Sequence, residues 1–317
     1  MLASVGPSVS GRSSVGGGHG VWQDTRQVDS ASTVGSCVMA LDLERLIATT
    51  PELAAMPATS ARLLTLLEDP DVPIVDVVGV IETDPALTAN VLKLCNSAYY
   101  GLRGEVATVR EALIRLGNQT VLTLAFASSM GRLLQAPVTG YRLPRGQLWR
   151  HALAVGLVGA RLGPDGMTPT DRNRVFTAGV VHDIGKLLLD RPLRESLRQL
   201  PPEPDYSGLV LAERDLLGCD HAEAGAVLGG AWNFPSELVA VIGNHHRPAP
   251  AGSTTSLVLA ADLLASRAGQ HGGAPGVGEQ ACELAAQAAG LTLDAADERT
   301  AQALADLEGL LSLLGVN

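Results

Sequence analysis

The sequence predicts an all-α protein, and three observations carry that expectation. From about residue 41 onward apolar side chains recur at helical spacing, as in "PATSARLLTLLEDP" (57–70), where Leu63, Leu64, Leu66 and Leu67 share one broad face. Residues that start and stop helices bracket these runs in the right order. No stretch of several residues alternates apolar and polar side chains as a half-buried strand would.

Taken in order, "ALDLERLIATT" (40–50) opens the helical region, and Asp69-Pro70 stops the leucine-rich run that follows. In "TDPALTANVLKLCNSA" (83–98), Asp84 reads as an N-cap and Pro85 as the first helical residue, where its missing N–H costs nothing. Leu87, Val91, Leu94 and Ala98 then form the inward stripe. "TVREALIRLG" (108–117) carries Thr108 and Glu111 at capping-box spacing and closes on Gly117, read as a left-handed terminator. "DHAEAGAVLGGAW" (220–232) repeats the device with Asp220 and Glu223. Proline and glycine thicken at 135–146, 163–169, 201–208, 247–253 and 272–278, which marks loops.

Residues 41–270 therefore read as one helical array, divisible into two sub-bundles near 135–145, with 278–317 as a closing helical extension. The leucines from Leu304 to Leu314 are too few for a coiled coil, yet such a tail leaves a homodimer seam open. Residues 1–38, rich in glycine and serine, cannot offset the entropy of ordering and are expected to be disordered. A translation start at Met39 is an alternative, and peptides from 1–38 in the native protein would exclude it.

A net charge of −10 with no long basic block excludes a binder of phosphate backbones, and 3% aromatic residues leave few platforms for stacked bases. No apolar run is long enough to cross a bilayer. The four cysteines, Cys37, Cys95, Cys219 and Cys282, are scattered without CxxC spacing and read as core residues of a reducing cytosol. With no secretory leader pattern at the start, a cytoplasmic location is expected.

The chemistry lies in the histidines. In "VVHDIGKLLLD" (180–190) His182 and Asp183 stand between two apolar runs, followed by Gly185 and Lys186. His151, His221, His245 and His246 sit at intervals across other helical segments, while His19 and His271 fall in glycine-rich stretches. Asp262, in "LVLAADLLA", is a carboxylate in a helix apolar on every side, and such a charge costs several kcal/mol unless it is paired or bound to a cation. A lone histidine on an apolar helix is usually a hydrogen-bonded core residue. Imidazoles and carboxylates from several helices, however, can converge on one or two divalent cations.

The order His151, His182-Asp183, His221, His245-His246, Asp262 resembles the HD phosphohydrolase superfamily, and "HDIGK" at 182–186 resembles its HD-GYP branch. "ETDPALTANVLKLCNSAYYG" (82–101) followed by "ALIRLG" (112–117) resembles the HDOD family of bacterial signalling output domains, over about residues 45–250. The resemblance implies a multi-helix HD-type bundle that acts by contact with other signalling proteins. It also implies one cation on His151, His182, Asp183 and Asp262, and a second on Asp183 with His221, His245 and His246. Iron, manganese or another divalent metal would suit these donors. The alternative it implies is a metal-dependent phosphohydrolase acting on a nucleotide or cyclic dinucleotide, with Asp183 and Lys186 catalytic and Lys186 neutralising a substrate phosphate.

Two positions depart from the HD-GYP pattern. "HHRPAPAGSTT" from 245 has no tyrosine, and Gln147 stands where a glutamate ligand is expected, so a third metal is not anticipated. The DPxL and NSAYYG residues Asp84, Asn96, Ser97, Tyr100 and Gly101 read as caps and turn closers rather than a binding site. Trp149 and Trp232, each near a candidate ligand, are expected to pack the shell around it. With no sensor segment evident, the input is expected through another chain or a small ligand.

Overall fold

The structure is a computed structural model and describes residues 41–314 apart from 70, 98 and 197. The segment 1–38, together with Met39 and Cys37, lies outside the described residues, as does Ala98 of the expected stripe. All regular structure among the described residues is helical, apart from isolated bridges such as Val138 with Leu143.

The first part comprises α1 (Leu43–Ala48), α2 (Ala58–Leu67), α3 (Ile74–Glu82), α4 (Pro85–Cys95), α5 (Val109–Leu116) and α6 (Asn118–Leu134). The local devices form largely as read. Asp84 accepts from the amides of Ala86 and Leu87 and pairs with Arg132, and Leu87, Val91 and Leu94 turn inward. Thr108 accepts from the amide of Glu111, whose carboxylate reaches the amide of Ala107 instead of returning to Thr108. Asn96 clamps Val106 with a reciprocal pair of hydrogen bonds at 2.9 and 2.7 Å, which closes the turn after α4. Gly117 differs from expectation. It has φ +83° but ψ 157°, outside the left-handed helical region, because it ends α5 and starts α6 at once and must redirect the chain rather than merely cap it.

The second part follows a 3₁₀ turn at Thr139–Tyr141. It holds α7 (Gln147–Leu162), α8 (Pro169–Val181), α9 (Gly185–Glu195), α10 (Tyr206–Leu217), α11 (His221–Ala231), α12 (Ser236–Asn244) and α13 (Thr254–Arg267). Two closing helices, α14 (Glu279–Ala288) and α15 (Leu293–Leu314), complete the chain. α7 and α13 are buried along most of their length, which explains why their sequences show no clear polar face.

Small residues let backbones meet where the candidate ligands must approach. A Cβ at Gly185 would stand 1.9 Å from the carbonyl oxygen of His221, so only glycine lets the start of α9 lie against the start of α11. α15 lies on α7 and α13 through ion pairs of Arg150 with Glu308, Arg161 with Asp306 and Arg267 with Asp297, over a buried stripe of Ala303, Leu307, Leu310 and Leu311. The described cysteines, Cys95, Cys219 and Cys282, are free and buried. Among the described residues no helix is long and apolar enough to cross a membrane.

Candidate metal centre

Five helices and the turn between two of them deliver the titratable side chains to one place. His151 comes from the first turns of α7, while His182 and Asp183 occupy the break between α8 and α9, where Lys186 begins the next turn. His221 opens α11, His245 and His246 follow the end of α12, and Asp262 lies mid-way along α13. All seven candidate ligands of the sequence reading are therefore neighbours. All are buried except His246, which is half-buried.

The distances divide them around Asp183. Its Oδ2 is 3.2 Å from Nε2 of His151 and 3.5 Å from Nε2 of His182. Its Oδ1 is 3.2 Å from Nε2 of His221 and 3.8 Å from Nε2 of His245. Asp262 Oδ1 stands 3.3 Å from His151 Nε2, and His246 Nε2 is 2.7 Å from His221 Nε2. Donor atoms of His151, His182 and Asp262 lie within 4.8 Å of one another, as do those of His221, His245 and His246, and those of His182, Asp183 and His245.

The far side of each imidazole sets its protonation. His151 Nδ1 donates to the carbonyl of Gln270 at 2.6 Å, His182 Nδ1 to that of Gly179 at 2.7 Å, and His245 Nδ1 to that of Ile242 at 2.7 Å. A carbonyl can only accept, so the proton of each neutral ring sits on Nδ1 and the lone pair on Nε2 points into the centre. His221 Nδ1 faces the Glu213 carboxylate at 2.7 Å, with the same consequence for its neutral form. The Nε2 atoms of His151 and His182 stand 3.3 Å apart, so two neutral rings of this tautomer would set lone pair against lone pair. Among the described residues His245 Nε2 is buried with no hydrogen-bond partner, and Asp183 Oδ1 is buried facing His221 Nε2 at 3.2 Å. Lone pairs and carboxylates gathered out of water repel one another unless positive charge lies among them. This mixed nitrogen and oxygen set, with each ring oriented from behind, fits a divalent transition metal.

The charged groups of the cluster shift one another in both directions. Burial works against the Asp183 carboxylate, but Lys186 and His182 hold it well below the usual range. Burial likewise opposes Asp262, which His151 and His182 keep below its ordinary value. Burial pulls His182 down, and burial with the neighbouring His182 and His221 rings pulls His245 down to about 3. His221 goes the other way: burial would lower it, but Glu213 outweighs burial and pushes it up to about 9.

Lys186 is 4% exposed, and its Nζ donates to Asp183 Oδ2 at 2.5 Å beneath the ring of Tyr141. It faces the carboxylate rather than an open cleft. The loop after α13 crosses above: a Cβ on Gly272 would stand 2.6 Å from Asp183 Oδ2 and 2.9 Å from His151 Nε2. A cavity of about 260 Å³, lined by Arg145, Gln147, Arg150, Gln270 and His271, reaches the centre at His151 alone among the seven.

Supporting residues went unread in the sequence. Glu213 is fully buried and accepts from both the ring and the backbone amide of His221. It lies in the inward stripe Leu209, Glu213, Leu217 of α10, a carboxylate on an apolar face like Asp262, which is the signal the sequence carries for it. Tyr206, which donates to Asp262 Oδ2 at 2.7 Å, and the carbonyl of Gln270 gave no such signal. The tryptophans make contacts of their own. Trp232 ends α11, about 16 Å along the axis from His221, and its Nε1 donates to Leu53, while Trp149 packs on Gly131 of α6.

A family model for the HDOD domain matches residues 53–248, more than half of the chain. The chain belongs to the HDOD domain family. A curated relative, a protein of Treponema pallidum (strain Nichols) described only as uncharacterized, is 27% identical over 197 residues, which are 62% of this HDOD chain and 38% of that protein. The chain thus spans about two fifths of the length of the curated relative it matches. A crystal structure from Shewanella amazonensis SB2B, described as a candidate phosphohydrolase, shares the fold with a TM-score of 0.61 at 24% identity, over 85% of this chain and 97% of that one. Another from Marinobacter aquaeolei VT8, described as a candidate signal transduction protein, has a TM-score of 0.59 at 27% identity, over 82% of this chain and 58% of that one.

Proposed function

We propose that this HDOD chain is a signal-transduction module that acts by contact with other signalling proteins and holds divalent cations at its His/Asp centre. One cation would take His151, His182, Asp183 and Asp262. A second would take Asp183 with His221, His245 and His246. The observation that carries this reading is the convergence of four buried imidazoles on two buried carboxylates from separate helices, with His245 Nε2 left without a hydrogen-bond partner among the described residues. A cation there supplies a concentrated positive charge that ties five helices together and polarises any oxygen it meets. Closure favours the structural role: Lys186 is engaged with Asp183, and Gly272 lies over His151 and Asp183. The likeness to a protein described in signalling terms supports the same reading.

A second reading, phosphoester hydrolysis of a nucleotide or cyclic dinucleotide, rests on the cavity beside His151, where Arg145 and Arg150 present cationic groups near the centre. Elemental analysis of the purified chain, followed by assay of bis(p-nitrophenyl) phosphate with added manganese or iron(II), separates the two. Metal without release of p-nitrophenolate leaves the structural role and removes hydrolysis; no bound metal removes both. Because Asp183 faces both donor groups, Asp183→Ala should release all of the metal, and full occupancy in that variant would overturn the assignment.

A further inference from the structure

A second and larger cavity, about 660 Å³, lies between the amino-terminal helices and the ligand-bearing ones, and the His/Asp centre does not use it. Its floor is one face of α8, with Thr170, Asn173, Arg174, Thr177 and Ala178 recurring every three or four residues. Leu64 and Leu67 of α2 and Leu238 and Val241 of α12 form aliphatic walls. Gln119 and Thr123 of α6 add amide and hydroxyl groups. The volume is that of a small-molecule site.

Thr123 points to an occupant. It lines this cavity at 3% exposure, and its hydroxyl has no hydrogen-bond partner among the described residues. A buried hydroxyl left unpaired costs on the order of 1–3 kcal/mol, which a bound polar group would relieve. The remaining chemistry narrows the class. Among the described residues no aromatic side chain lines the cavity, so they offer no platform for stacking a base or a sugar ring. Among the described lining residues the one cation, Arg174, pairs with Asp171 at 3.2 Å, while two exposed carboxylates, Glu68 and Glu237, stand in the lining, a balance that disfavours anions.

We infer that this cavity binds an uncharged aliphatic amphiphile, its apolar body against the leucines and its amide or hydroxyl head group at Thr123 and Gln119. The site is also placed to bias the centre. Ala178 precedes His182 on α8, and Val241 precedes His245 on α12, by four residues each, about 6 Å of helix. This relay rests on the proposed metal centre; the binding itself does not.

Octanamide and octanoate are the probes, titrated calorimetrically into the metal-stripped full chain. Octanamide should bind saturably and octanoate at least about tenfold more weakly, the difference one unfavourable charge makes. Thr123→Val should raise the melting temperature of the unliganded chain and weaken octanamide about fivefold, since it removes an unpaired hydroxyl that the ligand would otherwise pair. Leu67→Trp, at a half-buried position, should fill the cavity and abolish binding while the circular dichroism stays helical. No octanamide binding at millimolar concentration, or binding that survives both variants, overturns the site. Repeating the titration with manganese present reads the relay: a changed manganese affinity supports it and an unchanged one overturns it. A chain that takes up no manganese sinks the metal centre and the relay while leaving the cavity result intact.

Discussion

At the scale of single residues, the centre depends as much on what stands behind the imidazoles as on the imidazoles themselves. Glu213 fixes the ring of His221 through Nδ1 and its backbone through the amide. Glu213→Gln should therefore weaken metal binding about 10–100-fold, the usual cost of removing such a support, measured by competition with a chromogenic chelator. The same pair predicts a pH dependence in the metal-stripped chain. Because Glu213 raises His221 to about 9, above its unfolded value of about 6.5, the pair's stabilisation is full below the unfolded value and is lost as pH rises through the folded one. Thermal melts between pH 7 and 10 should show that loss in the parent and not in Glu213→Gln. Asp84 has the opposite sign. The amide of Leu87, with Arg132 beside it, holds its carboxyl below the usual value, so its contribution is present above the unfolded pKa and is lost as pH falls through the lower, folded one. Asp84→Ala should cost about 1 kcal/mol at pH 7, a typical loss for a helix cap, and that difference should vanish in acid.

At the scale of elements, what matters is how closely helices may approach. The starts of α9 and α11 meet where Gly185 faces His221 and Gly225 lies 3.2 Å from the amide of Gly185 by its own added Cβ. Each of these two helices carries donors to the centre at that end. Gly185→Ala must push them apart, since the obstacle is backbone and cannot rotate away. It should cost at least about 1–3 kcal/mol and also reduce bound metal. A variant that keeps both the melting temperature and the metal content of the parent would refute this account of the contact. α15 reaches the same region indirectly: Glu308 pairs with Arg150, whose Nε donates to Gln270, and the Gln270 carbonyl orients His151.

At the scale of the whole molecule, the centre draws its donors from α7, the α8–α9 break, α11, the end of α12 and α13, so a bound cation cross-links the second part of the chain. Metal that binds only the folded state stabilises it by mass action, about 2.7 kcal/mol at a free concentration one hundred times the dissociation constant. Stripping with a chelator should lower the melting temperature, and manganese should restore it in proportion to the logarithm of its concentration. An unchanged melt would show that nothing at the centre links these helices. Uptake should also release protons near pH 7.5, chiefly from His221 at about 9 and none from His245 at about 3. Calorimetry in buffers of different ionisation enthalpy counts them.

Helix class and the caps at Asp84, Thr108 and Asp220 were legible in the residues because capping and periodicity are local, and the seven candidate donors stood out as imidazoles and carboxylates in helical segments, Asp262 as a charge in an apolar helix. The family resemblance supplied their grouping around Asp183. Tertiary structure alone decided that Glu213, Tyr206 and the Gln270 carbonyl stand behind the candidate donors, that Gly117 redirects the chain, and that Trp232 faces Leu53. Each of these depends on contacts between residues distant along the chain or on the angle between helices, and neither is written in the spacing of a single segment.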